Sequence, residues 1–334
     1  MPCFSPLPRG TETVPANGAV DCSLPACHQA WHIGGMTTPI AYFNGEWIPH
    51  DQLRLPIDDL GFLLGATIVE RLRTFQAKVF RLEDHLKRLR HSLQLVGWDA
   101  ERLVPEVSAA MAELLRRNAT QIAPGDDWSL VVFVTPGRTP DAAQPTVCVH
   151  GYPLPFADWA AKFHTGVETV VVDVRQVPEN CWPSELKCRS RLHYYLADQQ
   201  AAAKSPGARA LVLDQDGYVG EATTANVVAH FPGSGLVTPP REKVLPGVSQ
   251  QVLFELADGL KIPHARRDLT PAELATADEV FLTSTSVCML PVVRIDGQAV
   301  GQGAPGPIYQ RLLAAWGEQV GTDIPAQAKQ FSQR

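Results

Sequence analysis

The chain predicts an α+β fold in two domains. Strand-like and helical stretches cluster side by side in each half of the sequence and do not alternate as βαβ units. Its 334 residues leave room for two domains of ordinary size. Gly151-Tyr152-Pro153-Leu154-Pro155 marks the seam, because prolines interrupt both helix and sheet. The expected layout is an extension over 1–35, an N-terminal α/β domain over 36–150, a linker over 151–156 and a C-terminal domain over 157–325.

Each element has a local cause. The first 35 residues hold several prolines and glycines and no apolar period, so they read as a disordered extension. Ile40–Ile48 is strand-like, and Thr67–Phe75 is β-rich. Leu82, Leu86, Leu89, Leu93 and Val96 recur at steps of four and three, the stripe of an amphipathic helix. Ala100–Arg117 reads as a second helix, and Leu130–Val134 and Pro145–Gly151 as buried strands. Past the seam, Val167–Val174 is strand and Ser184–Ala203 mostly helix. Ala210–Asp214 leads through Gln215-Asp216-Gly217 into Tyr218-Val219, a hairpin signal. Val248–Leu260 is helical, Glu279–Thr283 strand and Pro307–Trp316 a final helix.

Bulk properties narrow the function. Apolar content of 45% with 19% charged residues is globular, not disordered. A net charge of −6 argues against a nucleic-acid partner. Seven scattered cysteines form no disulfide framework, and Cys22, Cys27 and His28 lack two further ligands for a metal. No apolar run reaches membrane-spanning length and no signal segment is evident, so the expected address is the cytoplasm.

The chemistry concentrates at Lys187 and Glu221, 34 residues apart. The lysine lies in Ser184-Glu185-Leu186-Lys187-Cys188-Arg189-Ser190-Arg191 and the glutamate in Val219-Gly220-Glu221-Ala222-Thr223-Thr224. A Schiff-base lysine needs a deprotonated amine, hence a desolvated, cationic pocket. Arg189 and Arg191 are placed to lower its pKa, or else form a solvated helix face. A carboxylate that keeps a pyridine nitrogen protonated completes an electron sink. Pro246-Gly247-Val248-Ser249 opens a helix whose free N–H groups suit a phosphate, unless Ser249 is a plain cap. Arg88 offers a guanidinium that can grip phosphate through two bonds, or be a solvated helix residue. Ser284-Thr285 offers further donors where an apolar strand ends.

Together and in this order, His85-Leu86-Lys87-Arg88-Leu89, Lys187, Glu221, Leu245-Pro246-Gly247-Val248-Ser249 and Ser284-Thr285-Ser286 resemble the fold-type IV pyridoxal-phosphate enzymes. That family holds branched-chain and D-amino-acid aminotransferases and aminodeoxychorismate lyase. The resemblance runs from about Tyr42 to Val320. It implies two domains, each a sheet or barrel with flanking helices, a homodimer, and pyridoxal 5'-phosphate as cofactor. It implies Lys187 as the internal aldimine and acid/base, and Glu221 as the partner of the ring nitrogen. Arg88, Val248, Ser249, Ser284 and Thr285 would hold the phosphate, with Thr224 near the ring.

The chain departs from the family elsewhere. Branched-chain enzymes carry a tyrosine five residues after the lysine; here that position is Leu192, with Tyr194 two further on. Neither aminotransferase arginine signature is present around Leu130–Val134. Arg71 and Arg73 share one strand face by alternation and, with Arg138, are the candidates for a substrate carboxylate. Gly301-Gln302-Gly303-Ala304-Pro305-Gly306 fits GxGxxG but lacks a βαβ setting and reads as a turn. The expected activity is amino transfer between an amino acid and a keto acid. The alternatives are a lyase that releases pyruvate and a non-catalytic cofactor-binding protein.

Overall fold

The computed structural model describes residues 38–140 and 144–333, so the extension expected over 1–35 and the Cys22, Cys27 and His28 group lie outside the described residues. The stretch expected as one strand over Ile40–Ile48 is a hairpin, β1 (Ile40–Phe43) and β2 (Glu46–Pro49). Asn44 and Gly45 turn it with φ of 50° and 89°, the left-handed pair that a tight hairpin requires. A short helix α1 (Leu60–Leu63) precedes β3 (Ile68–Phe75) and β4 (Lys78–Val79). Then come α2 (Leu82–Leu95), α3 (Ala100–Arg117), β5 (Trp128–Thr135) and β6 (Thr146–Pro153).

These strands form a six-stranded antiparallel sheet in the order β2-β1-β6-β5-β3-β4. The leucine stripe of α2 does what its spacing demands. Leu86, Leu89 and Leu93 are buried with Leu103 and Val107 of α3 against Leu72 and Val132 of the sheet. Each fully buried leucine of this kind stabilises by roughly 1.5–3 kcal/mol.

The seam expected over 151–156 is no free linker. Gly151-Tyr152-Pro153 completes β6, paired with Leu130, Ser129 and Trp128 of β5. Its proline falls on the last strand residue, where the ladder ends and a missing N–H is tolerated. Leu154, which follows, is fully buried in the core of the second sheet.

The second sheet is assembled from α4 (Lys162–Thr165), β7 (Val167–Arg175), α5 (Leu192–Lys204), β8 (Arg209–Leu213), β9 (Val219–Ala222), β10 (Ala225–Phe231) and β11 (Gly235–Thr238). There follow α6 (Val248–Gly259), β12 (His264–Arg266), α7 (Pro271–Leu274), β13 (Glu279–Ser284), β14 (Cys288–Ile295), β15 (Gln298–Ala299), α8 (Pro307–Val320) and α9 (Ile324–Gln330). Strand order is β12-β11-β10-β13-β14-β7-β8-β9, and β9 pairs back onto β10. Six strands thus close into a barrel-like circuit. The helix after Pro307 is not the last, since α9 follows it.

Helix α5 begins only at Leu192, so the expectation of helix from Ser184 is corrected. Residues 187–189 are extended and stitched to the first sheet. Val69 N donates to the Lys187 carbonyl at 3.0 Å, and Arg189 N to the Thr67 carbonyl at 2.9 Å. Backbone pairing with β3 outcompeted helical propensity here.

Candidate active site

A cavity of about 290 Å³ lies where the two sheets meet. Its wall draws Lys187 from the extended stretch, Val69 and Arg71 from β3, Arg88 from α2, Glu221 from β9 and Ser249 from α6. Residues far apart in sequence converge because β3 carries the 187–189 stretch while β9 belongs to the closed sheet.

Lys187 is half-buried, and burial pushes its amine down to about 7. The guanidiniums of Arg88, Arg191 and Arg71 lower it further, while Glu70 opposes them. The pocket expected for a nucleophilic lysine is therefore present, with Arg88 as its strongest cation and not the adjacent Arg189. Ser92 Oγ accepts the Lys187 backbone N–H at 3.2 Å, which ties the stretch to α2 as well.

Glu221 is buried, and burial pushes its carboxyl up to about 7. Bonds from Tyr194 and the Leu245 backbone restrain that rise. Tyr194 Oη donates to Oε2 at 3.0 Å, and Asn226 Nδ2 and Leu245 N donate to Oε1 at 2.8 and 3.2 Å. Asn226 also donates to the Leu245 carbonyl at 2.8 Å, so it fixes both the carboxylate and the loop before α6.

Arg88 is buried, and its fork is already engaged. Nε and Nη2 donate to Glu70 at 2.7 and 2.8 Å, and Nη1 to the Pro246 carbonyl at 3.0 Å. Burial alone would raise the Glu70 carboxyl, but the Arg88 charge and the bonds from Arg88 and His85 hold it well below the usual carboxylate range. Arg88 therefore faces the cavity as a fixed charge. The two-pronged grip expected from sequence goes to Glu70.

Gly247 stands at the N-cap of α6, which has no side-chain cap. A Cβ on Gly247 would come within 2.0 Å of Asn226 Oδ1, so only glycine lets the helix start this close to the Glu221 network. Helix α8 makes the contrast. The GxGxxG segment does form turns before it, and Glu279 accepts from Ile308 N and Tyr309 N at 2.8 Å each. Its N-terminus is filled by the chain's own carboxylate, while that of α6 faces the cavity bare. Thr283 Oγ1, on the β13 strand beside it, is buried without a partner among the described residues. Ser284, Thr285 and Thr224 complete this rim, and Thr224 holds a left-handed φ of 65° in the β9–β10 turn.

Residues 67–295 match the family described as amino-transferase class IV. The chain belongs to that family. It is an amino-transferring enzyme of a class that works with pyridoxal 5'-phosphate. The chain is 28% identical over 278 residues to D-alanine aminotransferase of Bacillus licheniformis, covering 82% of this chain and 94% of that one. It is 26% identical over 290 residues to branched-chain-amino-acid aminotransferase of Escherichia coli K12, covering 84% and 94%. In fold it is similar to the T.th. branched-chain amino acid aminotransferase with pyridoxamine 5'-phosphate, at a TM-score of 0.74, 21% identity and coverage of 86% and 95%.

The site of this aminotransferase fits a phosphorylated pyridine. A bare helix N-terminus, a partnerless Thr283 hydroxyl and a fixed arginine supply anion donors. Glu221 supplies a carboxylate, and Lys187 an amine of low basicity. The substrate arginines fare differently. Arg71 is exposed and lines the cavity. Arg73, on the same strand face, is displaced from it: fully buried, it donates to the Ser286 carbonyl at 3.0 Å and to Gln327 Oε1 at 3.3 Å, with Asp127 at 3.8 Å. It ties β3 to the second sheet and is out of reach of a cavity ligand. Arg138 is exposed in an ion pair with Asp58 at 2.8 Å, a loop contact outside the cavity wall. Alternation along β3 could not say where the cavity ends.

Sequence reasoning left Tyr194 without a role and missed Glu70 and Asn226. Glu70 precedes Arg71 on β3, and the lone acidic residue of that strand, buried beside apolar neighbours, was the available signal.

Proposed function

We propose that this aminotransferase moves an amino group between an amino acid and a keto acid, with Lys187 as its catalytic residue. The observation that carries the reading is the amine of Lys187, depressed to about 7, in one cavity with Glu221 and the uncapped start of α6. When bound, the cofactor supplies an electron sink that acidifies the carbon bearing the substrate's amino group. Lys187 Nζ is near neutral at working pH, so it takes up the proton from that carbon and gives it up again. Glu221, steadied by Tyr194 and Asn226, holds negative charge where the ring nitrogen belongs. Val248, Ser249, Thr283, Ser284 and Thr285 bind the phosphate, and Arg88 adds its charge. Arg71 meets the substrate's α-carboxylate.

The aminotransferase names of the relatives support transfer over elimination, and a lysine, carboxylate and anion site kept together support catalysis over mere binding. The working unit of this reading is a homodimer. Phe62, Leu63 and Leu64 after β2 and Leu192 and Leu196 of α5 expose large apolar side chains. Ser190 Oγ donates to the Gly65 carbonyl at 2.7 Å, so the two stretches lie side by side next to the cavity. A second copy of this chain is the occupant that such a patch fits. A cytoplasmic address completes the reading, supported by four cysteines that remain thiols among the described residues. No described helix is long and apolar enough to cross a membrane.

The test is a half-reaction with L- and D-amino acids and with aminodeoxychorismate. Conversion of the holoenzyme to its pyridoxamine form, with release of the matching keto acid, is expected. Catalytic pyruvate from aminodeoxychorismate, with no pyridoxamine form from any amino acid, would overturn transfer in favour of elimination.

A further inference from the structure

Helix α2 carries two parallel stripes. Leu86, Leu89 and Leu93 fill the core against the first sheet. His85, Arg88 and Ser92 each stand one residue earlier, so they form a polar stripe beside it at steps of three and four. All three are buried, at 1%, 8% and 0% exposure. A buried polar side chain is costly unless it is bonded. Each of these is bonded to a different part of the site's frame. His85 Nδ1 and Glu70 Oε2 of β3 are 2.9 Å apart, and Arg88 Nη1 donates to the Pro246 carbonyl before α6 at 3.0 Å. Ser92 Oγ accepts the Lys187 backbone N–H at 3.2 Å.

Ser92 is the member that local structure does not call for. Serine is a poorer helix former than alanine, and a hydroxyl shut away from water gains nothing there by itself. What it supplies is an acceptor. The carbonyl of Lys187 already takes Val69 N of β3 at 3.0 Å. The two backbone polar groups of Lys187 therefore go to two different elements, β3 and α2. Leu186 and Cys188 on either side pack against the first sheet's core. His91 Nε2, next to Ser92 in sequence, lies 2.9 Å from Glu185 Oε1; both are partly exposed, so this second tether is weak. Four helical residues rise about 6 Å, so α2 sets a fixed spacing between Arg88 at the loop before α6 and the point where the lysine's backbone is held.

We propose that Ser92 is a positioning residue for Lys187: by taking the lysine's backbone N–H it fixes the Cα from which the amine reaches into the cavity. This rests on the reading of Lys187 as the catalytic residue. Without that bond the stretch is held by β3 alone, and the side chain starts from a variable position. Proton transfer depends steeply on the separation of the reacting atoms, so a small displacement costs rate and leaves substrate affinity in place.

The test compares the parent with Ser92→Ala and Ser92→Cys. Alanine keeps the helix and removes the acceptor, and cysteine keeps a weak acceptor at the same place. Hydrogen exchange of the holoenzyme, resolved to single amides, should quicken at Lys187 in Ser92→Ala, while the amides of Leu86 and Leu89 stay as protected as in the parent. In the apoprotein, amidination of the Lys187 amine by methyl acetimidate should show a midpoint near 7 in the parent and a higher one in Ser92→Ala, because an untethered amine meets more water. The kcat for amino transfer should fall by about tenfold or more, with KM within about twofold of the parent. Ser92→Cys should recover part of each loss. Parent-like exchange at Lys187 with an unmoved midpoint in Ser92→Ala would overturn the proposal. So would faster exchange spread along the whole of α2, the mark of a serine that only packs the helix. If no amino donor converts the parent, the catalytic reading fails, while the exchange and labelling results still show whether Ser92 holds the lysine.

Discussion

Tyr194 Oη donates a 3.0 Å hydrogen bond to Glu221 Oε2, and so a residue of α5 favours the charged form of a buried carboxylate on β9. Burial already pushes Glu221 up to about 7, and the phenol is the largest of the contributions that hold it down. Tyr194→Phe should let the carboxyl rise further. If activity needs the carboxylate, the acid limb of the kcat/KM profile should move to higher pH, by up to about one unit. Difference infrared spectra of the apoprotein would show the carboxyl band titrating at the same shifted pH. An unmoved limb and band would contradict the role.

Lys187 should be the point of covalent cofactor attachment. Borohydride treatment of the parent should fix the label on the peptide holding Lys187, and Lys187→Ala should take none. The free amine reacts, so capture of cofactor by the apoprotein should speed up with pH through a midpoint near 7. The depressed pKa also has a stability sign. Between pH 7 and about 10 the unfolded chain carries a proton that the folded one lacks, so stability contributed at this site rises with pH. Melting temperatures of apo parent and Lys187→Ala, compared across that window, check it.

Glu221→Gln should retain cofactor and slow amino transfer by a factor of roughly a hundred or more, the scale of losing one pre-aligned charge. Single-turnover rates with a fixed amino donor measure it. Parent-like turnover would remove Glu221 from the site's chemistry.

Arg88→Ala should weaken cofactor binding by about 1.5–3 kcal/mol, read as apo fraction after dialysis. It should also cost roughly 3–5 kcal/mol of fold stability, because it strands the Glu70 carboxylate in the interior. Adding Glu70→Gln to Arg88→Ala should recover stability and leave the cofactor defect in place. Denaturant melts of the single and double variants separate the two roles.

Arg73→Ala should lower the melting temperature sharply without a specific effect on substrate KM, since its partners are Ser286, Gln327 and Asp127. Arg138→Ala, at an exposed ion pair, should change stability by less than about 1 kcal/mol. A rise in KM confined to Arg73→Ala would return it to the substrate side.

The sequence made most of the strands, the α2 stripe and the helix α6 legible because each rests on a local period or a glycine turn. The second half of the site was harder to read. Lys187 stands in a stretch whose helical composition is overruled by pairing with β3, a contact across more than a hundred residues. The proline-rich seam misled because Pro153 ends a strand and does not break one. Tyr194 and Asn226 could not be joined to Glu221 from spacing, since the three come from a helix and two strands. Arg71 and Arg73 look equivalent by alternation, yet only the three-dimensional course of β3 sends one to the cavity and the other into the interior.

Lys187 hangs from the first sheet, while Glu221 and the start of α6 belong to the second. A molecule gripped by all three acts as a rivet across the two halves. Its loss should therefore loosen the seam before it loosens either sheet. Hydrogen exchange at Thr67–Val69 and residues 187–189 should quicken in the apoprotein ahead of the barrel strands, making cofactor loading a quality check on assembly as well as a step toward catalysis.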